Sequence, residues 1–265
     1  MTPRSLPNWL AGIVTELELD RPAVVTRDQV EELRARAGVR ASTHRVIEEL
    51  HARGWLLKTG TRGTWEFIPG ERAGTISSGD PFLALRASLE TTPPSRAAVA
   101  LGSALWLLDV TDRAPDLHEV ALPKRALVPV ALKRSYRVVH HDACLDPVRI
   151  KGLPVHRAST VLVHLASKPT DVRSWGSILR ALAELLARSP EEDIREELAG
   201  RSRATQVRFA YLVSGLAPDL VERLDIRPAG KVWFGPRDKL RRHNARWQVA
   251  DTILPVAPPG TESEG

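Results

Sequence analysis

His140-His141-Asp142-Ala143-Cys144 gathers two imidazoles, a carboxylate and a thiol in one short run, and these are donors that zinc accepts. A structural zinc site needs four ligands, however. Cys144 is the sole cysteine, and His118, His156 and His164 fall into no paired ligand spacing. The run therefore reads as a strand end with exposed imidazoles, and no metal or other cofactor is expected. Nucleophilic and phosphate chemistry fare no better: no glycine loop matches a phosphate or dinucleotide fingerprint, and no serine sits in a nucleophile elbow. Glu191-Glu192-Asp193 and Glu196-Glu197, beside Arg195, read as a solvated helix face. The chain is not expected to be an enzyme.

A second constellation suits nucleic acid instead. Arg40, Ala41, Ser42, His44, Arg45 and Glu48 precede or alternate with the apolar Val46, Ile47 and Leu50. A helix burying those three would turn the polar set outward, with its N-terminal end free to enter a major groove. Arg45 can pair bidentately with guanine, Ser42 and His44 can donate to bases or phosphates, and Glu48 can accept from cytosine or repel a wrong approach. Lys58, Thr61, Arg62 and Thr64, a few residues on, are placed for phosphates or a minor groove.

The elements that must carry these residues are signalled locally. Thr26-Arg27-Asp28-Gln29 is a capping box, and Val30, Leu33 and Ala37 follow on one face up to Gly38. Ser42 caps the next helix and Gly54 closes it. Trp55-Leu56-Leu57-Lys58 and Thr64-Trp65-Glu66-Phe67-Ile68 flank the glycines of Thr59-Gly60-Thr61-Arg62-Gly63, which predicts a hairpin. Trp9, Leu10, Ile13, Val14 and Leu17 give an earlier amphipathic helix, entered by Pro7 and ended before Pro22. Helices followed by a hairpin spell a winged helix-turn-helix over 1–70. The same surface could otherwise be a solvated face of a protein-interaction module.

Length and composition set the remaining bounds. With 265 residues, 43% of them hydrophobic, the chain can support two cores. No apolar run is long enough to span a bilayer and no signal-peptide pattern opens the chain; a cytoplasmic location is expected. Cys144 reads as a small core residue. Arginine outnumbers lysine 31 to 7, which hints at a GC-rich bacterial genome. Residues 1–75 hold 11 basic against 10 acidic side chains, so the overall charge of +6 arises mainly later. Lys124, Arg125, Lys133, Arg134, Arg137, Arg149, Lys151 and Arg157 stand against only Asp142 and Asp146 between 120 and 160. Of these, Lys124, Arg125, Lys133 and Arg134 are candidates for additional phosphate contacts. Lys231, Arg237, Lys239, Arg241, Arg242 and Arg246 are interleaved with Trp233, Phe234 and Trp247. Either run could be a phosphate-attracting patch or scattered surface charge around core aromatics.

Beyond the hairpin, 71–81 is rich in turn formers and reads as a linker. Helices are predicted over 82–89 and 95–108, short strands at 117–122, 136–140, 148–150 and 153–156, and helices again at 159–167, 172–187, 190–199, 203–214 and 217–224. Two further strands, 232–234 and 248–254, precede a tail at 255–265 whose composition predicts disorder. The class is α+β: a winged helix-turn-helix followed by a helix-rich mixed α/β domain over 82–254.

This order of pieces resembles the AbiEi-type antitoxins, transcription regulators of bacterial toxin-antitoxin pairs, and among them the mycobacterial-type members. The likeness spans most of the chain: RASTHRVIEELHARGWLLKTGTRGTWEFIPG in the winged helix, SALWLLDV, VALPKR, and KGLPVHRASTVLVHLASKPTDVRSWGSILRALAELL with RSRATQVRFAYLVSGL. The resemblance implies repression of its own operon through double-stranded operator DNA, inverted repeats being one arrangement. It also implies a nucleotidyltransferase-like toxin partner, countered mainly by the C-terminal domain. Two alternatives stay open: a stand-alone regulator with a ligand-sensing or dimerising second domain, and a DNA-acting enzyme with a metal-dependent site beyond Phe82.

Overall fold

The computed structural model describes residues 6–72, 77, 79–91, 96–228 and 230–260. They fall into two compact units. The first runs to Arg96 and takes in Leu127–Ser135; the second comprises Ala97–Ala126 and the chain from Tyr136 onward.

The first unit is a winged helix-turn-helix. α1 (Asn8–Asp20) starts after Pro7 and leaves through Arg21 at φ 44°. Leu10, Ile13, Val14 and Leu17 recur at helical spacing and are buried, whereas Trp9 is 37% exposed and lies off that face. β1 (Val24–Thr26) then leads straight into α2 (Arg27–Arg36), followed by α3 (Thr43–Ala52), β2 (Leu56–Lys58) and β3 (Thr64–Phe67). β3 is antiparallel to both β2 and β1, in the order β1-β3-β2. The expected hairpin is thus the outer part of a three-stranded sheet. Its third member was not legible because Val24-Val25-Thr26 is too short to show a period of two. The four buried α1 residues meet Val25, Val30, Val46, Ile47, Leu50, Leu56 and Phe67 in one core.

Two further pieces belong to this unit, which corrects the expected boundary at 82. α4 (Leu83–Leu89) packs on β1 and β3, with Phe82 and Leu85 buried. α6 (Val130–Ser135) packs on α4. Within the expected linker, Gly70–Arg72 is a 3-10 turn, and Asp80 accepts from the Phe82 backbone N–H at 2.8 Å and pairs with Arg86 at 2.7 Å. Residues 73–76 and 78 lie outside the described residues.

The second unit is built on a mixed five-stranded sheet in the order β6-β5-β4-β8-β7. Its strands are β4 (Ala98–Val99), β5 (Glu119–Leu122), β6 (Arg137–His140), β7 (Val148–Ile150) and β8 (Leu153–Val155). β4 overturns part of the helix expected over 95–108. Val99 pairs with Val120 on one side and Val155 on the other, and the helix α5 (Leu101–Leu107) begins only after it. α7 (Ala158–Ser167) is buried all round from Ala158 to Ala166, as a central helix must be, and takes the polar Ser159, Thr160 and His164 inward with its apolar residues. α5, α8 (Trp175–Ala187), α9 (Glu191–Leu198) and α10 (Arg203–Val213) pack around it.

After α11 (Pro218–Arg223), β9 (Val232–Phe234), β10 (Arg242–Asn244) and β11 (Val249–Asp251) form a small sheet on α10. Tyr211 donates to Asp251 and the Trp247 indole N–H to Ser214. The tail expected to be disordered is placed as far as Gly260. Pro258 is buried, and Gly215 faces the backbone of Pro259 and Gly260 so closely that a Cβ there would have no room. Residues 261–265 lie outside the described residues. No helix among the described residues is long and apolar enough to cross a membrane.

Candidate nucleic-acid interface

Short-range hydrogen bonds fix the helix-turn-helix. The capping box closes in both directions, with Thr26 N–H donating to Gln29 Oε1 at 2.8 Å and Gln29 N–H to Thr26 Oγ1 at 3.2 Å. The chain leaves α2 through Gly38 at φ 63°, and the Arg34 guanidinium, donating to Val39 O at 2.8 Å, ties the turn. Ser42 Oγ accepts from Arg45 N–H at 3.3 Å and so caps α3. Thr43 is buried and donates to Glu31, which joins the two helices.

α3 turns Thr43, Val46, Ile47 and Leu50 inward and leaves His44, Arg45 and Glu48 exposed. His44 Nδ1 lies 3.1 Å from Glu48 Oε2 one turn away, so these two side chains engage each other. The side chains of Arg40 and Arg45 are exposed and make no hydrogen bond or ion pair among the described residues. Four other arginines nearby contrast with them: Arg34 pairs with Glu31, Arg36 with Glu16, Arg53 with Glu49 and Arg21 with Glu71, whereas Arg27, which opens α2, is exposed and has no ion pair among the described residues. Ala41 departs from expectation because it is half-buried and packs on the core.

The wing corrects two more assignments. Thr64 is 4% exposed, and its hydroxyl lies 2.6 Å from Thr59 Oγ1 and donates to Thr61 O at 3.0 Å. The Thr61 hydroxyl is enclosed as well. Both threonines shape the turn, which passes through Gly60 and Gly63 at φ 86° and 77°. Of the four wing candidates Lys58 and Arg62 are left exposed, and neither side chain is bonded among the described residues.

The four additional phosphate candidates separate. Lys133 and Arg134 stand exposed on α6 in the first unit, whereas Lys124 and Arg125 belong to the second. Lys124 lies 3.5 Å from Asp142. Other cations of that run are engaged too: Arg137 with Glu119, Arg149 with Gly152 O, and Arg157 with Asp146 O and Asp193. In the later run, Lys231 lies over Trp233 and Arg246 over Trp247, while Arg242 pairs with the buried Asp251.

The residues of the His140–Cys144 run go to different partners. His140 Nδ1 is 3.1 Å from Pro123 O, Asp142 holds Lys124, and Cys144 is exposed beside Arg201 rather than in the core. His141 turns inward. It stacks on His164 with ring centroids 4.1 Å apart and meets His156 edge-on at 6.0 Å. Three buried imidazoles thus meet from residues too far apart in sequence to signal one another. Burial holds all three neutral, lowering His156 to about 3 and His141 and His164 below the usual range, although Asp171 at 3.1 Å opposes the shift of His164.

Residues 97–215 match the family described as AbiEi antitoxin C-terminal domain. Over those residues the chain is similar to the AbiEi antitoxins. The match begins where the second unit begins, and it leaves out both the winged helix and the small sheet after α11. The resemblance of the sequence to AbiEi-type antitoxins is thereby confirmed for this domain. Over its whole length the chain is also similar to a solved structure, described as the crystal structure of RV2827C protein from Mycobacterium tuberculosis. Identity is 27%, the match covers 95% of this chain and 94% of that one, and the TM-score is 0.75. No curated protein matches the chain.

Proposed function

We propose that this chain is a repressor-antitoxin: its winged helix binds its own operator, and its AbiEi antitoxin domain counters a cognate toxin of nucleotidyltransferase type in the bacterial cytoplasm. The observation that carries the DNA half is the pairing pattern of the first unit. Four arginines of this unit, Arg21, Arg34, Arg36 and Arg53, are bound to carboxylates, while the side chains of Arg40, Arg45, Lys58 and Arg62 on α3's approach and the wing are exposed and unpaired among the described residues. Unpaired cations at a capped helix and a hairpin suit phosphate and base contacts. The antitoxin half rests on the family match at 97–215, and the toxin's class on the AbiEi resemblance.

The test is fluorescence anisotropy of the full chain with DNA from upstream of its own gene and with a scrambled duplex, across a salt series. A preference of tenfold or more for the upstream DNA supports a repressor. Equal, steeply salt-dependent binding reduces the interface to general phosphate attraction, and no binding returns the winged helix to a protein-interaction role. Rescue of growth on co-expression with the neighbouring nucleotidyltransferase-like gene tests the second half.

A further inference from the structure

The antitoxin domain contains a cavity of about 660 Å³ lined by α5, the loop from α5 to β5, and α8. That size is within the range of small-molecule sites. Its floor is apolar, supplied by Leu101, Leu105 and Ile178. A carboxylate, Glu119, also lines it although the residue is only 5% exposed. Local backbone is bent to hold that carboxylate. Leu101, fully buried, sits in the left-handed region at φ 48°, which is costly for a branched side chain. The turn it makes directs the Gly102 N–H to Glu119 Oε2 at 2.8 Å. A Cβ on Gly102 would come within 3.2 Å of the same oxygen. Arg137 bonds the other oxygen at 2.8 Å, and each oxygen keeps a lone pair for a further donor.

The polar groups are distributed unevenly. Arg180 and Ser177, on α8, are exposed and 3.4 Å apart, and Arg173 precedes the same helix. The α5–β5 loop contributes Asp112 and Asp116 against one cation, Arg113, which lies 3.6 Å from Asp116, so that side carries a net negative charge. A ligand fitting this pattern has an anionic group for Arg180 and Arg173, an apolar planar body for the leucine and isoleucine floor, and N–H donors for Glu119. We propose that the cavity binds a nucleoside phosphate, with the phosphate on Arg180, Arg173 and Ser177 and the N–H edge of the base on Glu119. An inorganic anion or an amino acid would leave most of the volume unfilled.

The site is independent of the operator and toxin roles and can be tested on the full chain by isothermal titration calorimetry. The probes are the four common ribonucleoside 5′-monophosphates, the corresponding nucleosides and inorganic phosphate. One monophosphate should bind with a Kd below about 100 μM, and its nucleoside and inorganic phosphate each at least tenfold more weakly. Arg180→Ala should weaken the monophosphate tenfold or more and leave the nucleoside unchanged. Ser177→Trp, at an exposed position, should block both without altering the melting curve. Glu119→Gln should change the ranking among bases, and a thermal melt shows whether that variant folds. The proposal is overturned if no monophosphate binds up to about 1 mM, if inorganic phosphate binds as well as the nucleotide, or if both α8 variants bind undiminished.

Discussion

The winged helix and the segment from 120 to 160 carry opposite lessons about charge. The first is nearly neutral by count, with 11 basic against 10 acidic residues up to position 75. Its carboxylates nevertheless collect Arg21, Arg34, Arg36 and Arg53, leaving Arg40, Arg45, Lys58 and Arg62 unpaired around α3 and the wing. The later segment has a large excess of cations, yet Lys124, Arg137, Arg149 and Arg157 are engaged locally, and Lys133 and Arg134 fall in a different unit. What matters for a polyanion is which cations keep their bonds free, and net charge does not report that.

The comparison can be strained at its foundations first. Leu50→Ala removes a fully buried side chain beneath the recognition helix and should destabilise the first unit by about 2–5 kcal/mol. Urea unfolding followed by circular dichroism checks this. A large loss of DNA binding should accompany it, whereas His156→Ala should leave the DNA affinity of the folded chain unchanged.

Acid should act on the second unit selectively. The three buried histidines have folded-state pKa values below the ordinary 6.5, so unfolding takes up protons there and stability falls as pH drops below about 6.5. The fall from His156 ends near its folded value of about 3. Between pH 7 and pH 5 that residue by itself should cost about 2 kcal/mol, with His141 and His164 adding in the same direction. Urea midpoints of the second unit measured across pH 5–7 should move down with acid. A flat profile would mean that the trio titrates normally and is open to water.

Arg45→Ala should lower affinity for the specific duplex by about 1–3 kcal/mol and relax sequence preference, read by anisotropy on matched and mutated sites. An equal loss on every sequence would make Arg45 a phosphate contact. Arg62→Ala should be milder, reducing the slope of log affinity against log salt by about one. The smallest effect is expected for Arg149→Ala, whose guanidinium is already bonded to Gly152 O; DNA affinity should not change. If this variant lost as much binding as Arg45→Ala, the contrast between free and engaged cations would fail.

Features that depend on a few neighbouring residues were readable without a structure. The Thr26–Gln29 box, the Ser42 cap, the left-handed glycines at 38, 54, 60 and 63, and the inward faces of α1 and α3 all lie where the residue pattern puts them. Each is a matter of backbone preference or apolar spacing within one or two turns, and such forces act whatever the rest of the chain does. The division into outward His44, Arg45 and Glu48 and inward Val46, Ile47 and Leu50 follows from the same periodicity.

Tertiary structure decided what local pattern cannot carry. Thr64 looks like a polar wing residue, but pairing of β3 between β1 and β2 buries it. Val99 lies in a stretch with helical spacing, but its partners Val120 and Val155 make it a central strand. The helix α6 sits mid-chain among residues of the second unit and is claimed by α4 of the first. His141, His156 and His164 are separated by whole elements and become one cluster only because β6, β8 and α7 are packed together. Sequence determined the caps, the turns and the faces, since their energies are local; pairing, burial and charge partnership were set by the fold, since those energies depend on which distant residues displace water from one another.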